Sequence, residues 1–66
     1  MKNTIKVQRA VNNLTQEELA QRISVSRQTI NAMEANKYVP STVLALKIAK
    51  VFGKPVEELF ILEASD

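Results

Sequence analysis

"RISVSRQTI", residues 22–30, is the stretch on which the fold turns. Ile23-Ser24-Val25-Ser26 alternates apolar and polar side chains, the period of a half-buried strand. On both sides, however, apolar residues recur at helical spacing, and no partner strand is evident nearby. The alternative is a corner between two helices. Ser24-Val25 then forms the turn, Ser26 caps the following helix, and Val25 points inward to plug the corner. This reading explains the alternation without a strand.

The helix entering the corner has the clearest start signal in the chain. Thr15-Gln16-Glu17-Glu18 is a capping box, in which the Thr15 hydroxyl accepts from the Glu18 amide and the Glu18 carboxylate accepts from the Thr15 amide. Leu19, Ala20 and Ile23 line one face, which predicts a helix over 16–23. The helix leaving the corner is expected over 27–35, with Ile30 and Met33 facing the core. Asn36 suits the left-handed position that stops it, and Lys37 opposes the negative end of its dipole.

Three further helices follow from similar signals. A first helix is predicted from an Asn3 cap to Asn12, with Ile5, Val7, Ala10, Val11 and Leu14 as its apolar positions and Asn13 as a left-handed stop. Val39, preceding Pro40, is pushed towards extended backbone, so "YVPS" reads as a loop. Ser41 caps a fourth helix over 42–52, whose Leu44, Ala45, Ile48, Ala49, Val51 and Phe52 form a wide apolar face ended by Gly53. Pro55 takes the first position of a short fifth helix, with Glu57 and Glu58 complementing its dipole. A short strand over 61–63, paired with the N-terminus or with a second copy, is the remaining element expected. The fold class is therefore all-α, in five helices.

Sixty-six residues allow one domain, and one this small buries only about 60% of its unfolded surface. The chain has no Cys or His, so neither a disulfide nor a zinc site can staple it. Stability is left to economical helix packing and oligomerisation. No run approaches the ~18 apolar residues of a membrane span, and "MKNTIKVQRA" lacks the apolar region of a signal peptide. A cytoplasmic protein without membrane contact is expected. Charge is unevenly distributed. Residues 1–54 carry all nine Lys and Arg against three acids, whereas residues 55–66 carry four acids and no base. A basic body with an acidic tail suits a polyanionic partner.

Two short helices joined by a tight turn make a helix-turn-helix, in which the second helix enters the major groove of DNA. The faces of the 27–35 helix fit that role. Advancing about 100° per residue from Ile30 puts Gln28, Asn31, Ala32 and Ala35 on the outer side and Glu34 close to the core side. The outer set is short or amide-bearing and contains no acid. Asn and Gln pair with adenine, Arg with guanine, and Ala meets a thymine methyl. Arg27 and Gln28 lie in the first turn, the part of such a helix that reaches base edges. Phosphate anchors are expected at Gln16, through its side chain and the helix N-terminus, and at Lys37 and Tyr38 just after the reading helix. Lys6 and Arg9 are further candidates, while Lys47, Lys50 and Lys54 read as solvated charge.

Taken together, "TQEELA", "VSRQTI", Glu34, "NKY", "PS" and "ALKIAKVF" resemble the Cro and phage-repressor helix-turn-helix family, also called the xenobiotic-response-element family. The resemblance spans about residues 3–62 and is closest to compact single-domain members. It implies a five-helix, lambda-repressor-like DNA-binding domain acting as a homodimeric transcriptional regulator, with repression the expected role. Carried over by position, Gln16 meets phosphate, Arg27, Gln28 and Asn31 or Ala32 read bases, and Thr29 and Lys37 hold the backbone. Ser26 and Tyr38 complete the DNA-facing set. Glu34 becomes a structural residue paired with the position held by Arg22. The chain departs from the family at Ser24, a usual glycine, at Gln8, a common leucine whose packing duty would pass to Val7 and Val11, and at Asn36, a frequent glycine.

The expected partners are double-stranded operator DNA and a second copy of the chain, with no cofactor, metal or small-molecule ligand. Apolar groups left over by the core, Val51, Val56, Phe60, Ile61 and Leu62, are the expected dimer interface. The absence of His and Cys, of a glycine-rich phosphate loop and of carboxylate pairs outside helix caps argues against an enzyme. A protein-interaction module, antitoxin-like or docking on polymerase, is the rival expectation. Such a role favours an apolar patch beyond the dimer interface.

Overall fold

The computed structural model describes residues 1–66. In chain order the elements are β1 (Lys2–Asn3), α1 (Ile5–Val11), α2 (Gln16–Arg22), α3 (Arg27–Glu34), α4 (Thr42–Phe52), α5 (Val56–Leu59) and β2 (Phe60–Ile61). The corner at residues 23–26 is a turn between two helices, and Val25 is half-buried against the core.

Helix starts follow the side-chain chemistry. The Thr15 hydroxyl accepts from the Glu18 amide at 3.0 Å and Glu18 accepts from the Thr15 amide at 3.0 Å, which completes the capping box. Ser26 and Ser41 accept from the amides of Thr29 and Leu44, each at 3.2 Å. Helix stops share one device. Asn13, Ser24, Asn36 and Gly53 have φ of 54°, 59°, 60° and 63°. Each is followed by an amide that donates five residues back: Leu14 to Arg9, Val25 to Ala20, Lys37 to Ala32 and Lys54 to Ala49. One carbonyl in the last turn of each of α1 to α4 is thereby satisfied within the chain.

Several boundaries differ from the sequence reading. Thr4, not Asn3, is the N-cap of α1, although Asn3 Oδ1 still accepts from the Ile5 amide at 3.2 Å. Pro55 is the N-cap of α5, with extended backbone, rather than its first residue. Ile23 and Ala35 cap α2 and α3 instead of lying within them. The C-terminal strand starts one residue earlier than expected, at Phe60, and pairs antiparallel with β1 of the same chain in the register Lys2↔Ile61 and Asn3↔Phe60. Thr4 extends this seam, donating from its amide to the Leu59 carbonyl and from its hydroxyl to the Glu58 carbonyl, both at 2.9 Å.

The core draws on all five helices and the turn after α1. Ile5 and Leu14 meet Leu19, Ala20 and Ile23 around the corner, Ile30 and Met33 come from α3, Leu44, Ile48 and Phe52 from α4, and Leu59 from α5. No polar or charged residue is fully buried. Helix α1 contributes less than its pattern suggested. Val7 is 60% exposed, Val11 is 70% exposed and Ala10 is exposed, so the packing duty assigned to the two valines does not exist. Ile5 and Leu14 alone carry that side of the core, with Gln8 half-buried beside them.

Candidate nucleic-acid interface

The turn projects α3 as a ridge whose inner face is fixed by Ile30 and Met33, 0% and 1% exposed. Arg27, Gln28, Asn31 and Ala35 are exposed on the opposite side, while Thr29 and Ala32 are half-buried. Gln28 and Asn31 share a cleft of about 290 Å³ with Gln16 and Arg27, with no hydrophobic residue in its lining. The expected base-reading residues and the expected phosphate anchor at Gln16 therefore converge on one surface. Ala32 sits deeper than its wheel position implied.

Glu34, the only acid of α3, is half-buried beside that surface and paired with α1. Arg9 Nε donates to Glu34 Oε2 at 2.6 Å and Arg9 Nη2 donates to Oε1 at 3.0 Å, so the guanidinium grips the carboxylate with two donors. The two side chains are only 14% and 7% exposed. Arg9 Nη1 also donates to the Leu14 carbonyl at 2.9 Å, which ties the end of α1 to the start of α2. Burial pushes the Glu34 carboxyl up and is the largest single influence on it. Hydrogen bonds from Arg9 and Gln16, together with the charges of Arg9 and Lys6, outweigh burial and hold it below its ordinary 4.5.

This corrects the partner assigned by resemblance: Glu34 pairs with Arg9 of α1, not with Arg22, which is exposed at the end of α2. The bridge also organises Gln16. Its amide nitrogen donates to Glu34 Oε1 at 3.1 Å and approaches Asn31 Oδ1 at 3.4 Å. The Gln16 amide is thus shared between the half-buried Glu34 carboxylate and the exposed Asn31.

Ser26 and Thr29 form a small hydroxyl pair at the start of α3, with their oxygens 3.0 Å apart. Lys37 and Tyr38 are exposed immediately after the left-handed Asn36. Lys6, which sequence reasoning left open, lines a cleft of about 250 Å³ with Gln16, Asn31, Glu34 and Ala35. It belongs to the α3 side of the molecule, and its position three residues before Arg9 on one helix face is the signal that links the two.

A second surface lies elsewhere. Val56 and Phe60 line an apolar groove of about 360 Å³ with Met1, Val39, Pro40, Thr42, Ala45 and Leu46. Of the five residues assigned to a dimer interface, these two share the groove. Val51 packs against the core, and Ile61 and Leu62 are 44% and 78% exposed outside the groove lining.

Residues 5–59 match the helix-turn-helix family. The chain belongs to that family. The match runs from the first residue of α1 to the last of α5, so it includes the corner, the Arg9–Glu34 bridge and the whole exposed face of α3. The chain is 59% identical over 63 residues to a protein of Methanocaldococcus jannaschii described as an uncharacterized HTH-type transcriptional regulator, with 96% of each chain covered. It is 48% identical over 66 residues to one of Archaeoglobus fulgidus with the same description, covering all of this chain and 93% of that one. YgzD of Bacillus subtilis, also an uncharacterized HTH-type transcriptional regulator, is 48% identical over 63 residues and 96% covered on both sides. These relatives agree with the reading of the chain as a regulator and not an enzyme. No helix is long and apolar enough to cross a membrane.

Proposed function

We propose that this helix-turn-helix protein is a transcriptional regulator that binds a pseudo-palindromic operator as a symmetric homodimer, with α3 in the major groove, and that it acts as a repressor. The observation that carries this reading is the pairing of Glu34 with Arg9, which neutralises the one acid of α3 and leaves Arg27, Gln28 and Asn31 exposed, with Glu17 of α2 at the edge of the face beside Gln16 and Arg27. Such a face can approach a polyanion closely and carries the amide and guanidinium donors that distinguish base edges. Gln16, Lys6, Thr29, Lys37 and Tyr38 surround it as phosphate-positioning groups. Ser26 sits at the mouth of the corner, where its hydroxyl pair with Thr29 adjoins the backbone. Ala32 backs the ridge and offers a methyl to a thymine.

Dimerisation follows from size. One reading helix covers only a few base pairs, so two copies on a two-fold operator are needed for useful affinity and specificity. The surface we assign to the interface joins Val51, Val56, Phe60, Ile61 and Leu62 with the adjoining groove. Repression needs nothing beyond occupancy, because a protein seated on an operator blocks access to it. Selection of bound sequences from a random DNA pool, followed by the mass of the complex, tests the reading. A two-fold consensus bound by two copies is expected, weakening steeply with salt; no enriched sequence refutes it.

One observation favours a second partner class. Val7 and Val11 stand exposed one turn apart on α1, outside the groove lining, as a protein-docking module would require. A DNA-binding face and a protein-binding face can coexist on one domain. Salt separates them, since docking on valines does not weaken as counterions are added.

A further inference from the structure

Asn3 lies far from the reading face in sequence, yet its side chain reaches the end of the reading helix. Its Nδ2 donates to the Met33 carbonyl at 2.7 Å and to Asn36 Oδ1 at 3.0 Å. Its Oδ1 accepts from the Ile5 amide at 3.2 Å, and its backbone pairs with Phe60 in the two-strand sheet. One side chain thus joins the sheet, the start of α1 and the end of α3. The residue it holds is the one whose geometry decides where the chain goes next. Asn36 sits at φ 60°, and the Lys37 amide after it closes back onto the Ala32 carbonyl at 2.9 Å. Lys37 and Tyr38 leave the helix from this point.

We infer that Asn3 is a positioning residue for DNA binding: it fixes the turn after α3 and so aims Lys37 and Tyr38 at the DNA backbone. This rests on the proposed DNA-binding reading. Two amide protons satisfied by α3 and its stop hold the turn in a single geometry, so Lys37 meets a phosphate without first ordering its own backbone. The backbone of the same residue pairs with Phe60, so the residue that holds the turn after α3 also sits beside the apolar groove.

Asn3→Asp is the informative change. It keeps the acceptor for the Ile5 amide, favourably placed at a helix start, while replacing the two-proton donor with an oxygen facing two acceptors. The link to α3 is lost and the cap of α1 is kept. Asn36→Gly is its uncharged counterpart, since glycine is at home at φ 60° and lacks only the Oδ1 acceptor. Affinity and salt slope are measured on a selected duplex for wild type, each variant, Lys37→Ala, and the doubles with Lys37→Ala, with Lys47→Ala as a surface-charge control.

The expected result is a roughly 3- to 10-fold loss for Asn3→Asp, a smaller loss for Asn36→Gly, and a salt slope shallower by up to about one charge in both. In the Lys37→Ala background neither change weakens binding further. Additive losses, as a general charge or folding effect gives, overturn the proposal, as does unchanged affinity in both variants. Absence of sequence-selective binding by the wild type instead overturns the DNA-binding reading itself.

Discussion

Ser24→Gly should make the protein more stable. Ser24 is exposed and sits at φ 59°, between the end of α2 and the Val25 amide that closes onto Ala20 at 3.0 Å. A left-handed backbone strains an L-residue by roughly 1–2 kcal/mol because its Cβ crowds the following carbonyl. Glycine removes that strain but adds freedom to the unfolded chain, which opposes the gain by about 0.4–1 kcal/mol. The balance is a stabilisation of about 0.5–1 kcal/mol, which for a domain of this size raises Tm by about 2–8 °C. Thermal and urea unfolding followed by circular dichroism read it directly. Asn13→Gly, at φ 54°, is the matched comparison and should gain less, since asparagine visits this region at lower cost. A neutral or negative result at Ser24, or a larger gain at Asn13, refutes the reasoning and means that the corner is not built on a left-handed turn.

Glu34→Gln should destabilise by about 1–2 kcal/mol, because it leaves the Arg9 guanidinium with a neutral acceptor in a part-buried site. Urea unfolding measures this, and the apolar pair Arg9→Met with Glu34→Leu should recover much of the loss. The acid limb of stability should report the same group. The Glu34 and Glu18 carboxyls lie below their ordinary 4.5 in the folded chain, Glu18 through its hydrogen bonds with Thr15. Their stabilisation is therefore complete above about pH 4.5 and disappears as pH falls through the lower folded values, and Glu34→Gln should flatten that limb in a urea midpoint against pH series. Leu62→Asp should weaken self-association in sedimentation while leaving the unfolding free energy of the dilute protein within about 0.5 kcal/mol of wild type, as Leu62 is 78% exposed.

The parts of the fold legible in the sequence are those governed by local chemistry. Thr15-Gln16-Glu17-Glu18, Ser26 and Ser41 announce helix starts because their side chains bond amides three residues on. Asn13, Asn36 and Gly53 announce stops because few other residues accept φ near 60°. Ser24 was recognisable only through the corner on either side of it. What stayed hidden depends on distant pairing. The C-terminal strand was expected, with the N-terminus or a second copy as its partner, but the choice of partner and the register of Lys2 with Ile61 and Asn3 with Phe60 are set only by the fold. Arg9 meets Glu34 across 25 residues of chain, with nothing in the spacing to favour it over Arg22. The apolar pattern of α1 misled, because a helix this short needs only Ile5 at its start and Leu14 beyond its end to seal one side of the core. At the site, helical angles correctly put Gln28 and Asn31 outside and Glu34 inward, whereas the Glu34 bond to Gln16 required the folded arrangement.

The central claim is that the exposed face of α3 reads base edges, and Gln28→Ala tests it most directly. Bound sequences are selected from one random DNA pool by wild type and variant at the same salt, and the two consensus sequences are compared. Loss of preference at one position per half-site, with a penalty of about 1–3 kcal/mol at the original base and unchanged preferences elsewhere, is the predicted result. An identical consensus for both proteins contradicts the account.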